Sequence, residues 1–332
     1  MKKILLLFFL VFSFNGYSQN IFDYEREIRN KENFDFQEIT FQNKDEDLQL
    51  SGTLITPLSD FSKIVIIVPG SGKDTRYAHF ILTEELLKRG NAVFRFDERG
   101  TGKSEGKYSE LATGLSNDLR FAVYDLQKKY TDKNFGVIAH SLGGIATLMT
   151  MEKKIKPDFL VFIETPIKKN GAFVINQLKM DYENRIPKEM RKGKTKDEMI
   201  DFLEGYFQVI NESDSASLKK DLRKYIKDKN FQRKFIVLLK DPFFIEMANV
   251  NLEEVLKETS VPTLYLTGTK DRIINHSEEI SLVKSFNNPN IETYTFEGLN
   301  HWLTDRNGVV GSSLYQMDVE PLSLIIDWVS KK

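Results

Sequence analysis

The sequence predicts an α/β fold: a mostly parallel central sheet with an N-terminal antiparallel hairpin and an inserted helical segment. Three observations lead to this prediction. Continuous apolar runs, for example residues 64–68 and 92–96, are typical of strands buried on both faces. Segments with helical spacing separate these runs, and such alternation favours right-handed parallel units. From Ile167 to about Glu258 the alternation stops, and lysine- and glutamate-rich helical patterns replace it.

The first 18 residues have the pattern of a secretory signal peptide. Lys2 and Lys3 make a basic start, and residues 4–14 are an apolar core too short to span a bilayer. We therefore expect cleavage after Ser18 and export to the periplasm or the medium; the alternative is a retained single-helix anchor. Without cysteine, the new N-terminus cannot hold a lipoprotein anchor. The intact mass of exported protein checks this expectation, and a mature chain that still begins at Met1 would contradict it.

The remaining elements follow from local patterns. Residues 20–33 are charged and predict a short leading helix or an irregular leader onto the fold. Apolar and polar residues alternate over 34–41 and 48–56, so the polar stretch between them predicts a hairpin turn. Further strands are predicted at 64–68, 92–96, 135–139, 159–163, 261–266 and 291–296. Helices are predicted at 77–89, 114–130, from Ser141 to about residue 154, at 277–286 and at 321–329.

Composition limits the classes of function. The 332 residues include 47 Lys and Arg against 48 Asp and Glu, so no nucleic acid or anionic membrane partner is indicated. The absence of cysteine excludes disulfides, thiolate metal sites and a cysteine nucleophile.

The length suits one large domain with an insertion. We predict a signal peptide at 1–18, a core at 19–166 and 259–332, and a helical insertion at 167–258.

The stretch NFGVIAHSLGGIAT, residues 134–147, has the pattern of a nucleophile elbow. An apolar strand leads to Ser141, a glycine pair follows, and apolar residues then recur at helical spacing. The tight turn needs small residues two positions before and after the serine, and Ala139 and Gly143 meet that need. Ser141 would then lie at a helix N-terminus, where amides stabilise a developing anion. The alternative is a strand–helix turn with an incidental serine.

A serine nucleophile needs a base, and the chain has four histidines. His301 is the candidate because it follows the last predicted strand, at the sheet edge where catalytic groups lie in open α/β folds. His140 directly precedes Ser141, and its side chain is expected to point away from it. His79 falls in the first helix after the hairpin, where a surface or core role is favoured. His276 begins a helical segment and is expected to be a neighbour of its cap.

The acid and the anion-stabilising groups complete the prediction. Asp271 follows a strand and a glycine turn, although an ordinary turn aspartate has the same local pattern. The order Ser141, Asp271, His301 is the order expected for this architecture. Two backbone N–H groups should bind the oxyanion, that of Leu142 and that of Ser71 in the loop PGSGKDTR.

Two glycine-containing loops, PGSGK at 69–73 and RGTGKSEG at 99–106, have features of phosphate-binding loops. Neither has the spacing G-x-x-x-x-G-K-[ST] that would wrap a phosphate chain. The sequence therefore disfavours nucleotide binding.

The chain resembles the α/β-hydrolase superfamily across nearly all of the predicted mature sequence. The resemblance rests on VPGSG at 68–72, FDERGTGKSEG at 96–106, AHSLGG at 139–144, GTKDRI at 268–273 and GLNHW at 298–302. It is closest to the bacterial esterase-like and serine-aminopeptidase-like branch. It implies that the block 96–106 shapes the loop behind the elbow, that 167–258 form a cap over the site, and that no cofactor or metal takes part. Ala139 and Pro69 depart from the common pattern, but neither removes a catalytic atom.

These residues predict two-step acyl transfer to water on a small-molecule ester, with Ser141 as nucleophile, His301 as base and Asp271 as its orienting acid. A carboxylesterase for short or medium acyl chains is the leading hypothesis. The alternatives are an aminopeptidase or amidase on the same residues, and a non-catalytic binding protein that kept the fold.

Substrate preference depends on the helical insertion. Its aromatic residues either line an acyl pocket or form the insertion's own core. Glu204 either receives a substrate ammonium or lies on a solvated helix face. The aromatic residues in question are Phe202, Tyr206, Phe207, Phe243 and Phe244.

Overall fold

The computed structural model describes residues 28–77, 80–153, 155–304 and 317–332. The predicted signal peptide, most of the predicted leading helix and His79 lie outside the described residues. The described end of that leading segment contains a 3₁₀ turn, Lys31–Asn33. Within the described ranges, no helix combines the length and the apolar character needed to cross a bilayer.

The described strands form one mixed sheet, which confirms the predicted fold class. They are β1 (Phe34–Asn43), β2 (Leu48–Pro57), β3 (Lys63–Val68), β4 (Ala92–Phe96), β5 (Asn134–His140), β6 (Phe159–Ile163), β7 (Thr263–Gly268) and β8 (Ile291–Phe296). Their order across the sheet is β1-β2-β4-β3-β5-β6-β7-β8. β2 is antiparallel to β1 and to β4, and the other neighbours are parallel. The carboxyl ends of β3, β5, β6, β7 and β8 therefore meet at one edge.

The helices of the described chain surround the sheet or belong to the inserted segment. They are α1 (Phe80–Lys88), α2 (Ala112–Lys129), α3 (Leu142–Glu152), α4 (Ala172–Met180), α5 (Tyr182–Arg185), α6 (Lys188–Arg191), α7 (Lys196–Glu212), α8 (Leu218–Asp228), α9 (Pro242–Asn249), α10 (Glu253–Lys257), α11 (His276–Ser285) and α12 (Val319–Ser330). A 3₁₀ segment, Arg233–Lys240, precedes α9.

The strand predicted at 261–266 needs the clearest correction, because β7 begins and ends two residues later. Pro262 has no N–H to donate to a ladder, so the strand begins after it. At the other end, Thr267 and Gly268 continue the parallel pairing with β8. The shift brings the strand's carboxyl end closer to Asp271.

The apolar runs are buried because helices cover the sheet. Every residue of β4, β6 and β7 is buried. Val161 and Leu264 belong to a core that also includes Trp328 of the closing helix. Burial on both faces explains why these strands show continuous apolar runs rather than alternation.

The segments Ile167–Glu253 and Arg272–Asn275 form a compact helical unit. Its core is aromatic: the Phe202 ring stacks on Phe231 at 3.8 Å, and the Phe207 ring stacks on Phe244 at 4.4 Å. The Tyr206 hydroxyl is buried and donates to the Phe235 carbonyl at 3.1 Å. Four of the five aromatic residues singled out from the sequence thus pack inside this unit, and Phe243 is half-buried.

Candidate active site

Ser141 lies in the sharp turn between β5 and α3. Its backbone has φ 51° and ψ −119°, a conformation that costs a non-glycine residue about 1–3 kcal/mol. Its amide donates to the Ile163 carbonyl at 2.9 Å, which ties the turn to the end of β6. A Cβ atom added to Gly143 would lie 2.3 Å from the Pro69 carbonyl oxygen. The glycine therefore lets α3 begin directly against the loop that follows β3.

The loops after β7 and β8 hold Asp271 and His301. The amide of Lys270 donates to the Leu299 carbonyl at 2.9 Å, so the two loops are joined one or two residues away from both side chains. Parallel pairing of β7 with β8 brings these loops to the same edge of the sheet. Residues that are thirty positions apart in sequence thus become neighbours.

Ser141, His301 and Asp271 form a continuous hydrogen-bonded chain. Ser141 Oγ lies 2.9 Å from His301 Nε2, and His301 Nδ1 lies 2.6 Å from Asp271 Oδ2. The three residues are 8%, 4% and 5% exposed, so water screens these contacts little. An ionised Asp271 makes Nδ1 the donor, which leaves Nε2 to accept the serine proton. This arrangement can generate a serine nucleophile.

The other histidines occupy different positions. His140 Nε2 donates to the His301 carbonyl at 2.8 Å, and the two ring centroids are 5.0 Å apart. His140 therefore supports the backbone of the His301 loop. His276 is the first residue of α11.

The two predicted oxyanion donors belong to segments that adjoin Ser141. Leu142 is the first residue of α3, where leading helix amides have no intrahelical acceptor. Ser71 directly follows Gly70, at which an added Cβ atom would lie 3.2 Å from Ser141 Cβ. The loop after β3 thus passes next to the serine.

Two residues that the sequence analysis missed hold this loop. The Gly72 amide donates to the Tyr108 hydroxyl oxygen at 2.9 Å, and the Asp74 amide donates to Glu98 Oε2 at 2.8 Å. Burial raises the pKa of the Tyr108 hydroxyl, and the nearby Glu98 carboxyl raises that pKa further. Tyr108 is therefore a neutral phenol that accepts a backbone hydrogen bond one residue after Ser71.

Replacing Tyr108 by phenylalanine is expected to lower kcat about three- to ten-fold with little change in KM. One hydrogen bond is worth about 1 kcal/mol, and its loss would loosen the loop that carries Ser71, the predicted second oxyanion donor. Initial rates on a p-nitrophenyl ester measure the change. Tyr124→Phe, at a half-exposed tyrosine of α2, is the matched control. An unchanged rate, or equal losses in both variants, would contradict this role.

The glycine-containing loop at residues 99–106 surrounds the carboxylate of Asp97. The Lys103 amide donates to Asp97 Oδ2 at 2.9 Å, and the Ser104 hydroxyl donates to the Asp97 carbonyl at 2.7 Å. A Cβ atom added to Gly102 would lie 2.3 Å from Asp97 Cγ. The Arg76 guanidinium pairs with the same carboxylate at 2.7 Å. These contacts show that the loop binds the side chain and backbone of Asp97 and so has a structural role within the protein.

Glu164, also missed from the sequence, lies beside the acid of the hydrogen-bonded chain. In the part of the chain that the structure describes, Glu164, Asp271 and His301 make the one group whose potential metal-ligand atoms lie within 4.8 Å of one another. Both ring nitrogens of His301 are already engaged by Asp271 and Ser141. The arrangement therefore fits proton transfer from a serine better than metal coordination. The signal that could have identified Glu164 is its position directly after β6.

Comparisons with known proteins identify relatives of this chain. Residues 59–305 match the family model described as serine aminopeptidase, S33 (Hydrolase_4). Monoacylglycerol lipase from Saccharomyces cerevisiae is 26% identical over 275 residues, which are 75% of this chain and 57% of the lipase. The chain thus spans somewhat more than half the length of this curated relative.

Solved structures share the fold. An esterase from Pyrococcus furiosus superposes with a TM-score of 0.58 at 20% identity, over 90% of this chain and 91% of the esterase. A thermostable carboxyl esterase from Bacillus coagulans gives a TM-score of 0.56 at 16% identity, over 89% and 98% of the two chains.

Proposed function

Because the chain belongs to the serine aminopeptidase S33 family of α/β-hydrolases, we propose that this serine hydrolase cleaves carboxylic esters with short or medium acyl chains. The observation that supports this most directly is the hydrogen-bonded chain from Ser141 through His301 to Asp271, with contacts of 2.9 and 2.6 Å. The names of the lipase and esterase relatives favour an ester as the substrate.

Acylation uses the proton path that this chain provides. Ser141 Oγ attacks the ester carbonyl carbon while His301 Nε2 takes the hydroxyl proton. The carbonyl oxygen gains the negative charge, which the amides of Leu142 and Ser71 stabilise. The tetrahedral intermediate then collapses: the bond to the alkoxy oxygen breaks, and His301 gives its proton to the departing alcohol. Ser141 is left as an acyl ester.

Deacylation repeats the path with water. His301 takes one proton from the attacking water, and the new carbon–oxygen bond forms a second tetrahedral intermediate, in which a hydroxyl replaces the departed alkoxy group. Collapse releases the carboxylic acid, and Ser141 Oγ regains its proton from His301. Asp271 holds the imidazole in the required tautomer throughout and stabilises the imidazolium that forms in each step.

The family description also makes an aminopeptidase or amidase the second candidate. Such an enzyme needs an acidic group for the substrate ammonium. Glu204, the acidic residue considered for this purpose, is exposed on α7 and forms an ion pair with Lys179 at 2.7 Å. This pairing favours the solvated-face interpretation of Glu204 and therefore the ester substrate.

A side-by-side assay of substrates separates these candidates. We expect turnover of p-nitrophenyl acetate, butyrate and octanoate, with far slower release from aminoacyl p-nitroanilides. Faster cleavage of the anilides would make the aminopeptidase the better assignment. A fluorophosphonate probe should attach to Ser141, and peptide mass mapping locates the adduct. An unlabelled Ser141 together with no turnover would favour a binding protein with this fold.

A further inference from the structure

A second carboxyl group, that of Glu164, lies buried beside Asp271. We propose that Glu164 is a positioning residue, which keeps its proton and donates a hydrogen bond to the Asp271 carboxylate; this proposal rests on the function proposed above. Nothing in the acyl-transfer steps requires Glu164 to touch the substrate. Its effect would pass through Asp271 to His301.

The backbone directs the Glu164 side chain toward the end of β7. The residue follows β6, and its amide donates to the Leu266 carbonyl at 2.9 Å, which extends the pairing between the two strands. Its φ of 48° is uncommon for a residue with a long side chain. The Gly268 amide donates to Glu164 Oε1. This hydrogen bond fixes one oxygen and leaves Oε2 to meet other groups.

The second carboxyl oxygen of Glu164, Oε2, is the one available to the Asp271 carboxylate. Glu164 Oε2 is buried, and no donor among the described residues reaches it. A carboxylate oxygen of Glu164 and one of Asp271 lie within 4.8 Å of each other. Two ionised carboxylates have only acceptor oxygens, so a hydrogen bond between the two side chains requires that one of them hold a proton. A proton on Oε2 would satisfy that buried oxygen and allow this hydrogen bond at once.

Glu164 is the group that should hold this proton. It is fully buried, whereas Asp271 also accepts a hydrogen bond from His301 Nδ1. Burial raises the pKa of Glu164 well above its usual range, and the negative charge of Asp271 raises that pKa further. The Gly268 amide acts in the opposite direction but is outweighed.

The titratable groups around the pair strengthen this assignment. Buried Glu279 of α11 is a further acidic group, and its charge also raises the pKa of Glu164. Tyr265 of β7 is neutral, and its hydroxyl donates to the Thr165 carbonyl at 2.5 Å. Before the reaction, ionised neighbours on these elements therefore favour a neutral Glu164.

For the reaction, the consequence of this hydrogen bond is that the Asp271 carboxylate has a fixed orientation. A hydrogen bond from Glu164 holds the Asp271 carboxylate in the orientation that faces His301 Nδ1. It also disperses part of the Asp271 charge, so that the imidazolium form of His301 is stabilised less in the free enzyme. The base then stays available for Ser141 at lower pH.

Two variants separate the hydrogen bond from the bulk of the side chain. Glu164→Gln keeps an N–H donor and an oxygen for the Gly268 amide, whereas Glu164→Met keeps similar length without a donor. We expect Glu164→Gln to retain kcat within about three-fold of the parent, with the acid limb of the kcat/KM profile unmoved. Glu164→Met should lose about ten-fold or more in kcat, and its acid limb should move to higher pH by ~0.5 unit.

The matched control is Glu84→Met, at a buried glutamate of α1 that contacts Arg29. This control should leave the acid limb in place. The proposal is overturned if folded Glu164→Met keeps the parent profile, or if Glu164→Gln shifts the profile as far as Glu164→Met.

Infrared spectroscopy tests the proton independently of turnover. The parent at neutral pH should show C=O stretching absorption from protonated carboxyl groups, and Glu164→Gln should lose the part of that absorption that belongs to Glu164. Buried Glu98, whose pKa burial also raises well above its usual range, should absorb equally in both proteins. A parent without this absorption, or absorption of equal intensity in the variant, would overturn the proposal even if Glu164→Met did not fold. Fluorophosphonate labelling of the parent runs in parallel. An unlabelled parent would count against the proposed function, while the infrared result would still decide the protonation state.

Discussion

Replacing Ser141 by alanine is expected to lower kcat for p-nitrophenyl butyrate by roughly 10⁴- to 10⁶-fold. The change removes the atom that lies 2.9 Å from His301 Nε2 and that would form the acyl-enzyme. Neighbouring amides would still stabilise an oxyanion, so a residual rate above that of water should remain. Alanine also has a Cβ atom and would occupy the same positive-φ backbone. The unfolding midpoint should therefore stay close to that of the parent.

A second serine provides the control for this substitution. Ser116 is fully buried in α2, and its hydroxyl contacts the Thr150 hydroxyl at 3.0 Å. Ser116→Ala should keep the parent kcat and the fluorophosphonate label. If Ser141→Ala hydrolysed the ester as fast as the parent, or if it still took up the label at a different residue, that other residue would be the nucleophile.

Much of this fold could be predicted because strands that are buried on both faces have continuous apolar runs in the sequence. β4, β6 and β8 were predicted with the bounds that the structure has. Parallel strands also end at a common edge, so the elbow pattern at Ser141 could be joined with Asp271 and His301, which follow later predicted strands. The two-residue error at β7 arose because apolar character was given more weight than the missing N–H of Pro262.

The supporting residues were harder to find because their roles depend on contacts that no local pattern records. Tyr108 accepts the amide of Gly72 from 36 positions away. Asn300, whose side-chain oxygen accepts the Trp302 amide at 2.9 Å, resembles any loop asparagine. Glu164 differs from these, since it directly follows a buried strand and so lies at the sheet edge where Asp271 and His301 were also predicted. A serine–histidine–acid arrangement needs only one carboxylate, and Asp271 meets that need, so the pattern gives no reason to expect a second one.

Replacing Asp271 by asparagine is the second large expected effect, a loss in kcat of roughly 10⁴-fold. An amide N–H directed at His301 Nδ1 would make that nitrogen the acceptor and place the ring proton on Nε2. Nε2 could then no longer take the proton of Ser141, although the 2.9 Å contact between them would survive. The fall should therefore appear in kcat rather than in KM. A folded Asp271→Asn variant with nearly full activity would show that another group orients His301.

The same substitution tests whether Glu164 acts through Asp271. In the parent, Glu164→Met removes a hydrogen bond to a charged acceptor. In the Asp271→Asn background that acceptor is already neutral and the tautomer already wrong, so Glu164→Met should cost less than about three-fold more. Kinetics of the two single variants and the double variant give the coupling between the sites. Losses that simply multiply would mean that Glu164 acts on catalysis by a route independent of Asp271.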